Sequence, residues 1–110
     1  MAGRTVQEPT FLVLTSLAAG PQHGYGIMTD VAQISRGRVN LRAGTLYAAL
    51  DRLNTDRLVE IDREEIVDGR LRRYYRLTRA GRTVLAREAA RLQANATIAA
   101  QRLRLAGEMT

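Results

Sequence analysis

Six arginines, Arg70, Arg72, Arg73, Arg76, Arg79 and Arg82, fall within thirteen consecutive residues that contain no acid. Guanidinium groups bond phosphate oxygens two at a time and displace the counterions condensed on a nucleic acid backbone. Glu60, Asp62, Glu64 and Glu65 cluster just before this window. A solvated strand edge protected by charge would have a similar composition. The overall balance, +6 over 110 residues with arginine as the basic residue throughout, favours a nucleic acid partner. Catalytic chemistry is not laid out. The single histidine, His23, has no second His, Cys or carboxylate at ligand spacing and reads as a cap or packing residue. Without cysteine there is no disulfide, thiol nucleophile or thiolate metal site. No paired acid and base, phosphate loop or activated nucleophile is visible, so the chain is expected to be no enzyme and to need no cofactor or metal.

A second stretch, residues 42–53, is distinctive in another way. At about 100° per residue, Leu46, Ala49, Leu50 and Leu53 fall on one side of a helix. Gly44, Ala48, Asp51 and Thr55 fall on the other, flanked by Thr45, Tyr47 and Arg52. A merely solvated face would carry Glu, Lys and Gln there. Small residues at Gly44 and Ala48 let this face approach another surface closely, and the helix reads as the element that touches the partner.

The remaining elements must position these two stretches. At 110 residues the chain is one domain with a modest core. No apolar run reaches the roughly 18 residues of a membrane span and no signal-peptide pattern opens the chain, so a cytoplasmic protein without a membrane partner is expected. Residues 1–8 are polar and expected to fray. Pro9 suits the first turn of a helix that stops at Gly20-Pro21. Within it Phe11, Leu14 and Ala18, and also Val13 and Leu17, have helical spacing, as in a helix buried on more than one side. Gln22 to Ile27 leads into a second helix carrying Met28, Val31, Ala32 and Ile34; Gly24 and Gly26 allow close backbone packing or the approach of a phosphate. Ser35 to Asn40 is a basic connector. Val59 to Asp62 alternates as a half-buried strand, Ile66-Val67 continues it, Asp68-Gly69 is a hairpin turn and Leu71 to Thr78 returns. The return strand places Leu71, Arg73, Tyr75 and Leu77 on one face and Arg72, Tyr74 and Arg76 on the other, with at least one of Tyr74 and Tyr75 in the core. Thr78 is a plausible N-cap for the last helix. There Leu85, Ala89, Leu92, Ala96, Ala99, Leu103 and Ala106 alternate spacings of four and three, and Val84, Ile98 and Leu105 widen the stripe. A helix of this length overshoots so small a core, which makes an intermolecular helix pair the better account.

The expected fold is therefore mainly α with a small two-stranded β-hairpin. Residues 9–78 form a winged helix-turn-helix whose third helix enters the major groove, and residues 79–107 form a C-terminal dimerisation helix. The chain also resembles the PadR family of bacterial transcriptional regulators over nearly its whole length. The motifs are His23-Gly24-Tyr25-Gly26-Ile27, Gly44-Thr45-Leu46-Tyr47 followed by Ala49, Leu50 and Leu53, and Arg73-Tyr74-Tyr75-Arg76-Leu77-Thr78 followed by Ala80-Gly81. The length is that of the short subfamily with a single C-terminal helix. The resemblance implies a homodimeric repressor on a pseudo-palindromic operator in double-stranded DNA, released by a small hydrophobic effector. Two departures stand out. The Ser-Pro often preceding Gly-Thr-Leu-Tyr is Arg42-Ala43 here, and there is no tryptophan to line an aromatic effector pocket, which leaves Phe11, Leu92 and Ala96 as effector contacts.

From the helical wheel and the matched motifs, Thr45 and Tyr47 are expected to bring hydroxyls to phosphates, with Arg52 at the flank and Tyr25 adding a backbone contact. Ala48 suits a thymine methyl; Asp51 suits cytosine N4 or the orientation of Arg52; Gly44 gives close approach. Arg42 reaches a base edge or a phosphate. Arg70 and Arg72 are the expected hairpin contacts, ahead of Arg73, and the arginine hairpin is expected to supply much of the affinity. The competing reading is an interaction module that assembles partners through its heptad helix without binding specific DNA.

Overall fold

The computed structural model describes residues 6–109; residues 1–5 of the expected frayed start lie outside the described residues. The elements in chain order are α1 (Glu8–Ala18), β1 (Gln22–His23), α2 (Gly24–Ile34), α3 (Ala43–Thr55), β2 (Val59–Val67), β3 (Arg70–Leu77) and α4 (Arg79–Met109).

Helix α1 opens with proline in its first turn and buries Leu12, Val13, Leu14 and Leu17. Consecutive apolar residues span more than one face of a helix, so α1 is enclosed by α2, α4 and β3 and forms the centre of the molecule. Ile27 and Val31 of α2 and Leu46, Leu50 and Leu53 of α3 close on it, with Val59, Tyr75 and Leu77 of the hairpin beneath. All four residues of the expected core stripe of α3, Leu46, Ala49, Leu50 and Leu53, are buried. Helices α2 and α3 end alike. In each, a residue two past the last helical one donates its N–H back six positions, Gly37 to the Ala32 carbonyl at 2.8 Å and Leu58 to the Leu53 carbonyl at 2.9 Å. The left-handed position this closure requires is occupied by Arg36 (φ 54°) and Arg57 (φ 61°), where glycine is usual.

The hairpin turns at Asp68-Gly69, with φ of 51° and 76°, the two positive angles that match the twist of the flanking strands. The sheet differs from expectation in having three strands, ordered β1-β3-β2. Residues 22 and 23, read as the approach to α2, pair antiparallel with β3, Gln22 opposite Tyr75 and His23 opposite Tyr74. The chain is extended immediately before a helix start, and the outer edge of β3 offers backbone partners there. Strand β2 also carries a register shift between Ile61 and Arg63. The extra residue breaks strict alternation, which is why Ile61 is 43% exposed although Val59 is fully buried.

Thr78 caps α4 as expected. Its Oγ1 accepts from the Gly81 N–H at 3.0 Å and donates to the Arg57 carbonyl at 2.7 Å, while its own N–H donates to the Leu58 carbonyl at 3.1 Å. Gly81 is buried against that carbonyl oxygen. The helix then leaves the domain. At 1.5 Å per residue its 31 residues span about 46 Å, in a molecule 64 × 30 × 21 Å. Val84 and Leu85 pack on the core and Glu88 is buried, but every residue from 89 to 108 is exposed. Leu85, the first residue of the expected seam, thus serves the chain's own core. Glu88 was not singled out by periodicity. Its carboxylate accepts from Arg91, and with the Val6 backbone this holds it below the usual carboxylate range.

A Cβ at residue 81 would overlap the Leu58 carbonyl oxygen, a backbone atom fixed by the hydrogen bond from Thr78. Gly81→Ala is therefore expected to destabilise the fold by about 1–3 kcal/mol, read as a lowered Tm in thermal unfolding. An unchanged Tm would show that this junction is looser than described.

Candidate nucleic-acid interface

Burial of the leucine stripe turns the opposite side of α3 outward as a ridge. Gly44, Ala48, Asp51 and Thr55 line its crest and are all exposed. Thr45 and Arg52 lie on one flank and Tyr47 on the other. No side chain caps the helix start, since Arg42 occupies the N-cap position in extended conformation without a capping hydrogen bond. The first amides of α3 therefore remain available to an anion.

A cleft of about 650 Å³ separates the Tyr47 flank from the hairpin, with Gly24, Tyr25, Leu71, Arg70 and Arg72 in its walls. On the other flank, a groove of about 530 Å³ runs between Pro9, Thr10 and Val13 of α1 and Thr45, Ala48 and Arg52 of α3. Tyr25 is 73% exposed at the cleft mouth. The Tyr47 ring rests on Gly24, where a Cβ would overlap its hydroxyl. The glycine of the second motif thus makes room for the tyrosine of the third helix, which accounts for Gly24 by packing. The expected effector contacts lie elsewhere. Phe11 is half-buried against the core and Leu92 and Ala96 are exposed on α4; none of the three lines either cleft.

His23 links α2 to the hairpin. Its Nδ1 accepts from the Gly26 N–H at 3.2 Å and so caps α2. Its ring meets Tyr74 edge-on at 5.3 Å, and the Arg63 guanidinium lies over the other part of that stack, 3.9 Å from the Tyr74 centroid. Partial burial, with a smaller contribution from Arg72, lowers the His23 pKa below the usual 6.5.

The hairpin register changes how the arginine window reads. The acids that precede it in sequence lie opposite it in space: Glu60 faces Arg76, Glu64 faces Arg73 and Glu65 faces Arg72. Arg73 bonds Glu64 at 2.8 Å, Arg76 bonds Glu60 at 3.0 Å and approaches Asp62 at 3.4 Å, and Arg63 bonds Glu65 at 2.8 Å and Asp62 at 3.0 Å. Hydrogen bonding to Arg63 holds Glu65 below its usual pKa. Residues 59–77 carry five arginines and five acids, so the hairpin as a whole is neutral. Among the described residues no ion pair within 4 Å engages Arg70 or Arg72, the two basic side chains at the cleft; Arg72 acts on Glu65 only at longer range. Sequence reasoning missed Arg63, because its role depends on a strand bulge and on which cross-strand ring it meets.

Three helices, a hairpin wing and an extended last helix define a winged-helix protein with a protruding α-helical arm. Comparison with known proteins gives the class a family. The sequence pattern of the Transcriptional regulator PadR-like family matches residues 13–87, so the chain belongs to the PadR-like family of transcriptional regulators, whose members are not enzymes. It is 47% identical over 82 residues to an uncharacterized 37.1 kDa protein in transposon TN4556 of Streptomyces fradiae, covering 74% of this chain. It is 45% identical over 53 residues to transcriptional regulator Rv3488 of Mycobacterium tuberculosis, covering 48% of this chain. The chain spans only 22% and 49% of these two relatives. A PadR family regulator from Clostridium difficile shares the fold at a TM-score of 0.73 and 24% identity, over 88% of this chain and 99% of the other. Bacillus subtilis PadR in complex with operator DNA matches at a TM-score of 0.65 and 20% identity, over 73% of this chain and 45% of the other. No described helix is long and apolar enough to cross a membrane.

Because the folded pKa of His23 lies below its unfolded value, the neutral ring is the stabilising form. Its contribution is complete above pH 6.5 and is lost as pH falls through the lowered native value. His23→Ala is expected to cost about 1 kcal/mol at pH 8 through loss of the cap, and to flatten the fall in stability between about pH 7 and 5. Equilibrium urea unfolding at a series of pH values reads both effects; a variant that keeps the wild-type pH slope would remove His23 as its source.

Proposed function

We propose that this chain is a sequence-specific regulator of transcription that binds double-stranded DNA as a homodimer and acts as a repressor. The observation that carries the reading is α3 itself. One face is fully buried, and the other stands as a ridge of small and polar side chains between two clefts, the shape that enters a major groove. Residues 9–78 are the DNA-binding unit and residues 79–107 the dimerisation unit. Gly44, Ala48 and Asp51 face base edges. Tyr25, Arg42, Thr45, Tyr47 and Arg52 bond the flanking backbone, and Arg70 and Arg72 reach it from the hairpin. Arg73 joins them only by exchanging Glu64 for a phosphate.

The unpartnered length of α4 supports the dimer. Leu92 is 40% and Leu103 73% exposed, and Ala89, Ala96, Ala99 and Ala106 continue the seam on a surface that packs on nothing within the chain. A second α4 would cover it, with alanine setting a close helix approach. A small hydrophobic effector, as the resemblance implies, fits where such a pair would enclose Phe11, Leu92 and Ala96. Effector release requires that the ligand bind one dimer geometry better than the other.

Selection from a random duplex library is expected to enrich an inverted repeat with half-sites about 34 Å apart. Arg72→Ala should weaken binding to every sequence, and Asp51→Ala should change preference at one position of each half-site. Leu92→Asp with Leu103→Asp should convert a dimer to a monomer in sedimentation and abolish selection of the repeat. A monomeric wild type, or a library with no enriched repeat, would replace this reading by that of an interaction module.

A further inference from the structure

We propose that the turn between α2 and α3 is a preformed clamp for DNA phosphates, with Arg36 and Arg38 joining Arg42 as its binding side chains. The inference rests on the DNA-binding reading and adds residues to it. Residues 35–42 hold three arginines and no acid, and all three are exposed. In the hairpin every arginine has an acid on the facing strand or at the turn. In the corresponding turn after α3, Arg57 stands beside Asp56. The α2–α3 turn is thus the least compensated positive segment next to the ridge.

Its backbone is fixed before any ligand arrives. Gly37 and Arg36 donate N–H groups to the Ala32 and Gln33 carbonyls at 2.8 and 3.1 Å. Buried Ser35 donates through Oγ to the Val31 carbonyl at 2.9 Å and accepts the Val39 N–H at 3.0 Å. Asn40 Nδ2 donates to the Gly37 carbonyl at 2.7 Å. These bonds span the turn from the last residues of α2 to Asn40, so the arginines start from set positions and little backbone order remains to be imposed on binding. Arg36 holds the left-handed position where glycine is usual. Helix closure alone gives no reason for a long cation there, whereas a phosphate contact does. The only ion pair on this segment among the described residues joins Arg38 to Glu8 at 3.5 Å, with both side chains more than half exposed. Such a pair is weak in water and readily exchanged for a phosphate oxygen.

Phosphate neutralisation is independent of sequence, so the test needs no operator. The full chain is titrated by fluorescence anisotropy with a 40-base-pair (about four helical turns) mixed-sequence duplex between about 50 and 200 mM salt. The wild type gives the reference slope of log K against log salt. Arg36→Gly with Arg42→Gln is expected to lower that slope by about two, one for each lost phosphate contact. Arg38→Gln is expected to lower it by about one further. Arg36→Gly relieves the left-handed strain, so the double variant should melt no lower than wild type, which separates lost charge from lost fold. Arg76→Ala, which removes an arginine already held by Glu60 and Asp62, should leave the slope unchanged. The clamp is overturned if the turn variants keep the wild-type slope, or if Arg76→Ala lowers it as much. Wild-type protein that fails to bind the duplex at about 50 mM salt would overturn the DNA-binding reading and the clamp together, an outcome distinct from tight binding with an unchanged slope.

Discussion

The leucine stripe of α3 is the contact on which the other features depend. Leu46 and Leu50 are completely buried and Leu53 nearly so, each worth about 1.5–3 kcal/mol relative to exposure. In a domain whose stability is a small difference between large opposing contributions, those three side chains set the rotation of the helix about its axis. A helix cannot bury one side without presenting the other. Once the leucines are seated between α1, α2 and β2, Gly44, Ala48 and Asp51 have no direction left but outward. The ridge is therefore a consequence of core packing, and its precise aim is as strong as the core.

The wing illustrates a different constraint, cross-strand register. Charges far apart in sequence become neighbours when the Asp68-Gly69 turn sets which residue faces which. Glu60, Glu64 and Glu65 fall opposite Arg76, Arg73 and Arg72, and the hairpin that looks basic along the chain is neutral in space. Exposed pairs of this kind contribute little to stability. Their larger effect is to confine uncompensated charge to Arg70 and Arg72 at the cleft, and to leave the α2–α3 turn as the other concentration of positive charge beside the ridge. His23 connects these regions, since the same ring caps α2 and packs on Tyr74.

Much of the architecture was legible in the residues. The periodicity of α3, the Asp68-Gly69 turn, the Thr78 cap and the reach of α4 beyond its core all follow from local rules about spacing, positive φ and hydrogen-bonding side chains. The three motifs in order identified the family. What stayed illegible depended on non-local contacts. Strand β1 exists because the edge of β3 happens to lie beside the extended approach to α2. Ile61 is exposed because a single extra residue in β2 shifts its phase. Glu88 is buried by the segment around Val6, eighty-two positions earlier in the chain.

The sequence by itself determined which faces are apolar, where helices begin and end, and that the last helix is too long for one small core. Those properties depend on residues within a turn or two of each other, so they can be read along the chain. Only the tertiary structure decided which charges remain uncompensated and which side chains line a cleft. Coulomb interactions and steric fit depend on distance in space, and a hairpin register or a helix crossing places distant residues within a few ångströms. That is why the arginine window, prominent in sequence, lost weight to Arg36, Arg38 and Arg42, whose turn carries no facing acid.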